Sequence, residues 1–169
     1  MRRPSPSVAA AFCLIAGLPA TGAAQTASRT LFDQLPAVGV HVVGINPTID
    51  SIGVDSLSLR LSVETRLQRE GLSTPGRGQL LARQETPRLV ARVVAFPVDS
   101  AFFYTVTLEL VEPVRLERSG LTILAYGWSK QVVGVAERGE VRAAVEGAVD
   151  QLAGLFLEGR RRALSLASR

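Results

Sequence analysis

The sequence predicts an α+β fold, a two-layer sandwich in which an antiparallel-dominated sheet of four to five strands carries two helices on one face. Three observations predict it. Apolar, β-branched runs closed off by proline, glycine or asparagine recur at 38–45, 89–96, 102–111 and 121–136. Two other stretches, 55–70 and 141–158, repeat their apolar residues every three or four positions. Their order is β, α, an optional short β, three β, then α, and it leaves one helix after the first strand and one after the last, enough for a single helical layer.

The first run, VGVHVVGI at 38–45, lies between Pro36 and Asn46-Pro47, and its near-continuous apolar character predicts a strand buried on both faces. Over 55–70, Leu57, Leu59, Leu61 and Val63 alternate as in a strand, while Leu59, Val63 and Leu67 repeat as in a helix. The ending decides for a helix. RLQRE supplies good helix formers, Gly71 stands where a left-handed cap is wanted, and Leu72 is placed to pack back on the last turn. Asp55 is positioned to cap its start.

Residues 71–87 hold Ser73, Thr74, Pro75, Gly76 and Gly78, which predict a loop with a short strand possible at 79–83. Residues 89–96 are apolar except for Arg92. In 102–111, Tyr104, Val106, Leu108 and Leu110 alternate with Phe103, Thr105, Thr107 and Glu109, giving one dry face and one wet face. Pro97 to Ser100 suit a hairpin loop, and Pro113 marks a bulge or an edge position where its missing donor does no harm. Strict alternation in the last strand places Leu124, Tyr126 and Trp128 on one face and Ala125, Gly127 and Ser129 on the other.

The terminal helix carries a stripe of Val141, Val145, Ala148, Val149, Leu152, Leu155 and Phe156. Glu137 and Glu140 fall at its positive end and Arg160, Arg161 and Arg162 at its negative end, as the helix dipole favours. Gly147 and Gly154 inside it each cost about 1 kcal/mol relative to alanine, which points to a close neighbour, the sheet first and a partner helix second.

At 169 residues the chain has room for one domain. Its start has the three parts of a secretory signal: Arg2 and Arg3, an apolar run from Val8 to Ala20, then the small residues Thr21, Gly22, Ala23 and Ala24. This divides the chain into a cleavable signal at 1–24 with cleavage near Ala24, a lead-in at 25–36, and a single α/β domain at 37–169. The address is the periplasm or full secretion. A retained anchor is the rival reading, but the apolar run is shorter than the roughly 20 residues a spanning helix needs. Cys13 is the only cysteine, so the exported part has no thiol and no disulfide.

Without Arg2 and Arg3 the chain carries 17 basic against 15 acidic residues, too even a balance to argue for nucleic acid, which needs a concentrated basic face. Residues 60–92 hold seven arginines against three acids, and residues 93–158 hold five basic against nine acidic groups. Folding brings such blocks together.

Chemistry-bearing patterns are sparse. His41 stands alone inside an apolar strand, no cofactor or metal motif is present, and no serine lies in a G-x-S-x-G elbow. Asp50, Asp55 and Asp99 fall at element ends where carboxylate pairs can act, yet each has a local backbone role available. Gly71, Gly76 and Gly78 fit no phosphate loop. The residues suited to contact a partner or ligand are Tyr126 and Trp128, as aromatic anchors, with Arg77, Arg88 and Arg92, and Arg83 beside them, as anion-binding groups. The triple arginine at 160–162 suits a peripheral contact with an anionic membrane surface.

VETRLQREGL, the strand pair LVARVVAF and FYTVTLELVEPVRL, and AYGWSKQVVGV before an amphipathic terminal helix together resemble the layout of small exported bacterial proteins. A looser, fold-level similarity runs to the α/β modules that bacterial envelope complexes use as adaptors, such as the amino-terminal domain of the Tol-system propeller protein. The resemblance implies a periplasmic address and supplies no active residues. The expectation is therefore a non-catalytic exported protein that binds another envelope component through a sheet face or edge. A carrier or sensor of a small apolar or lipid ligand is the alternative, and a hydrolase built on the aspartates and arginines the third reading.

Overall fold

A computed structural model describes residues 32, 35–44, 52–76 and 86–167. The expected signal at 1–24, the optional strand at 79–83, Asp50, Arg77 and Arg83 lie outside the described residues. Six elements follow in order: β1 (Gly39–Gly44), α1 (Ser56–Arg69), β2 (Arg88–Val98), β3 (Ala101–Arg115), β4 (Thr122–Glu137) and α2 (Val141–Ala167). The sheet has the order β1-β2-β3-β4; β1 runs parallel to β2, and the other two pairings are antiparallel. This is the α+β sandwich that the sequence predicts.

Local chemistry fixes α1 at both ends. Asp55, in extended backbone, accepts hydrogen bonds from the backbone N–H groups of Leu57 and Ser58 at 3.1 and 3.0 Å. At the other end Gly71 takes φ +78°, its N–H donates to Gln68, and the Leu72 N–H donates to Leu67, the double bond pattern of a Schellman cap. Leu72 and Leu67 are both fully buried, so the apolar contact that accompanies such a cap is also made. Replacing Asp55 by alanine is expected to cost about 1 kcal/mol in urea unfolding, with Asp55→Asn costing a few tenths at most.

The buried face of α1 is Leu59, Val63 and Leu67, four residues apart. It packs beside α2, whose buried residues are Val141, Val145, Ala148, Val149, Leu152, Ala153, Phe156, Leu157 and Ala163. Leu155, expected in that stripe, is 37% exposed, because the helix turns it past the edge of the apolar arc while Leu157 takes the inward position. The α2 helix also runs on through Ala163 to Ala167, so Arg160, Arg161 and Arg162 stand within it rather than at its negative end. Arg162 pairs with Glu158 one turn back, and Arg160 reaches the Glu70 carbonyl at the end of α1.

Of the three glycines in α2, Gly159 packs against the Phe32 ring and Gly154 also has an intramolecular reason. A Cβ there would lie 2.9 Å from the guanidinium of Arg66, which crosses from α1 to bond both the carboxylate and the carbonyl of Asp150. Gly147 meets nothing within 4 Å.

Both helices cover the same face of the sheet, and that decides a departure from the sequence reading: β1 is an edge strand with Val43 38% exposed rather than a strand buried on both sides, and only its helix-facing side reaches the core. From the lead-in, Phe32 and Leu35 join this core, Phe32 meeting Phe156 edge-on at 5.5 Å.

The two prolines in the strands sit where a sheet tolerates them. Pro97 lies beyond the last β1–β2 pair, Gly44 with Val93, and Pro113 beyond the last β2–β3 pair, Arg88 with Val111, so among the described residues each flanks a side with no neighbouring strand. Between them, Asp99 at φ 50° turns the two-residue β2–β3 hairpin. Beside Pro113, partial burial pushes the Glu112 carboxyl above its ordinary value of 4.5. A carboxyl raised in the folded state favours folding most when protonated, so its contribution falls as pH rises through and above 4.5. Glu112→Gln is expected to unfold at higher urea than the parent at pH 7, the gap closing as pH is lowered towards 4.5.

Candidate functional site

Strand pairing sorts side chains onto two sides with no further assumption. On β2, Leu89, Ala91, Val93 and Ala95 are fully buried beneath the helices, so Arg88, Val90, Arg92, Val94 and Phe96 project from the opposite, open face. Register then extends this face in rows. Arg88 is opposite Val111, and Val111 opposite Tyr126; Arg92 is opposite Thr107, and Thr107 opposite Gln131; Val94 leads to Thr105 and Val133, and Phe96 to Phe103 and Val135.

The open face therefore has two regions. At one end Arg92 donates from Nε to Glu109 at 2.9 Å, with 37% of the Arg92 side chain and 18% of the Glu109 side chain exposed. The Glu109 hydrogen bond holds the guanidinium more firmly in its charged form, and the Tyr126 oxygen acts in the same direction. Arg88 and Tyr126 complete this polar strip. At the other end Phe96, Phe103 and Val135 stand side by side across three strands, 51%, 38% and 60% exposed. The structure thus brings together three of the sequence-selected residues, Arg88, Arg92 and Tyr126.

Trp128 is not with them. Leu110 pairs with Trp128 but Val111 pairs with Tyr126, leaving Gly127 as the extra residue of a bulge. That one-residue shift sends Tyr126 to the open face, where it is 62% exposed, and Trp128 under the helices, where its ring meets Phe156 edge-on at 5.4 Å. Alternation across 124–128 would have put both on one side; the bulge at Gly127 overturns it. Sequence reasoning also missed Phe96 and Phe103. Their signal was parity: Arg92, Val94 and Phe96 share a face of β2, as Phe103, Thr105, Thr107 and Glu109 share one of β3.

The remaining candidates have local roles. Asp55 caps α1 and Asp99 turns a hairpin. Two of the surface hollows among the described residues lie beside the helices. One, of about 470 Å³, lies between the helices over the Arg66–Asp150 pair. The other, of about 520 Å³, is a groove where α2 runs beside the outer edge of β4, lined by Tyr104, Val135, Ala136, Glu140, Ala144 and Gly147. No described helix is long and apolar enough to cross a membrane.

No family model matches the sequence, and no curated protein matches it at a significant level. Among solved structures, the crystal structure of a minor lipoprotein from Acinetobacter baumannii aligns over 76% of this chain and 95% of its own, at 10% identity and a TM-score of 0.38.

Proposed function

We propose that this is a non-catalytic exported protein that works in the bacterial envelope by binding another envelope protein through the open face of its sheet. The observation that carries the reading is the composition of that face. Tyr126 is exposed near the Arg92–Glu109 pair at one end of the face, and Phe96 and Phe103 are exposed at the other. Aromatic residues and arginine are the anchors that contribute most to protein interfaces, and the ion pair restrains the arginine before a partner arrives. The signal-like start of the sequence, Arg2 and Arg3 before the apolar run, supports the address.

An apolar carrier would need a lined chamber between helices and sheet. The α2–β4 groove is the nearest feature, but Val135, Gly147 and other lining residues are exposed, which makes it a surface channel. The test is native mass spectrometry of the protein isolated gently from its envelope fraction, beside a Phe103→Lys variant. A partner at fixed stoichiometry is expected with the parent and its loss with the variant, a weakening of about 2 kcal/mol or roughly thirtyfold. A partner retained equally by both would move the contact off this face, and lipid-sized adducts alone would favour the carrier.

A further inference from the structure

The outer edge of β4 and the groove beside it form a self-complementary surface, and we infer that two copies of this chain pair through it, β4 against β4, into one continuous eight-stranded sheet. Four observations converge. The first is the edge itself. β4 is the last strand of the sheet and 16 residues long, whereas β1 at the opposite edge has six. Every second backbone N–H and C=O of β4 therefore faces away from β3, with no strand among the described residues to receive it. The devices that protect such edges are thin here, since from Trp128 to Glu137 there is no proline and a single lysine, and the bulge at Gly127 falls before this stretch.

The second is Gly147. A glycine in the middle of a helix is unfavourable, and among the described residues nothing explains it, because a Cβ there would meet no described atom within 4 Å. It lies on the α2 side of the groove, with Ala143, Ala144 and Ala148 around it. Small residues on that side let a second backbone approach α2 closely.

The third is the floor. Tyr104 reaches over Gly134 so closely that a Cβ at 134 would fall 2.5 Å from its hydroxyl oxygen, and its side chain lines the groove there.

The fourth is charge, and it selects a second copy over any other strand. Lys130 and Glu140 are both exposed and take part in none of the ion pairs of the described residues. Lys130 is opposite the buried Leu108, which sets it on the helix side of the sheet; Glu140 lines the groove on that same side, next to Ala136. A two-fold axis through Val133 places Lys130 of each copy opposite Ala136 of the other, and so beside the other copy's Glu140. The same contact is made twice, as an isologous interface requires.

Sedimentation velocity of the intact protein over a concentration series tests this. The parent is expected to pass from monomer to dimer mass as concentration rises, with β4 backbone amides at 131–135 gaining hydrogen-exchange protection in step. Lys130→Glu and Glu140→Lys are each expected to weaken the dimer about tenfold by replacing two attractions with two repulsions, and the double exchange to restore it. Gly147→Leu, which the monomer has room for, should weaken it at least as much while leaving the circular dichroism spectrum unchanged. A parent that stays monomeric at millimolar concentration overturns the inference, as does a dimer indifferent to both charge changes or one that the double exchange fails to restore. Phe103 lies on the middle strand β3 and outside this contact, so loss of the envelope partner on Phe103→Lys and loss of the dimer on these changes are separate results.

Discussion

Replacing Phe156 by alanine is expected to lower the unfolding free energy by about 4 kcal/mol and the melting temperature by roughly 10 °C. Phe156 is fully buried, and it is the point where three parts of the chain meet: its own helix α2, Trp128 of β4 at 5.4 Å and Phe32 of the amino-terminal segment at 5.5 Å, both edge-on. Truncation removes the largest fully buried side chain and leaves two aromatic rings facing a void that neither can fill without leaving its own packing. The neighbouring change supplies the control. Leu155→Ala alters a residue already 37% exposed and should cost no more than about 1 kcal/mol. Urea unfolding of the pair measures how sharply the apolar arc of α2 ends, and equal losses would mean that the helix presents a different face to the sheet.

The same helix shows where the sequence was informative and where it was not. Its stripe was visible because Val141, Val145, Val149, Leu152 and Phe156 repeat with helical period, and the caps of α1 were visible because Asp55, Gly71 and Leu72 act within a few residues of where they stand. Such signals are local. The misplaced end of α2 came from giving the dipole preference of three arginines more weight than Ala163 and Leu164, which let the helix continue.

The open face needed register as well as period. Counting by twos is valid only while each residue has one partner, and at Gly127 β4 spends two residues against one step of β3. Glycine inside a strand was the only mark of that event. Tyr126 was therefore found as a candidate, together with Arg88 and Arg92, but set on one face with Trp128, which lies on the other. Phe96 and Phe103 were legible one strand at a time, yet only pairing shows that they stand together. The β4–α2 groove was announced by Gly147, whose cost the sequence displayed without its reason.

Gly134→Ala is expected to destabilise the fold by about 2 kcal/mol, against the ordinary trend in which alanine for glycine inside a strand is favourable by about 0.5–1 kcal/mol. The new methyl carbon would lie 2.5, 2.6 and 2.9 Å from Oη, Cζ and Cε1 of Tyr104, the residue opposite it on β3. Tyr104 cannot simply swing aside: only 3% of it is exposed, and Val106 and Phe102, two residues away on the same side, are as tightly enclosed. Relief has to come from an off-rotamer ring or from strands moving apart, each of which carries a cost of this size. Removing only the hydroxyl does not help, because two of the three contacts are to ring carbons, so Tyr104→Phe should leave most of the penalty in place. Tyr104→Ala should abolish it, and the double-mutant cycle in urea should show a coupling of about 2 kcal/mol. Additive effects would mean that the ring does not reach over Gly134, and the floor of the β4 groove would then have to be drawn differently.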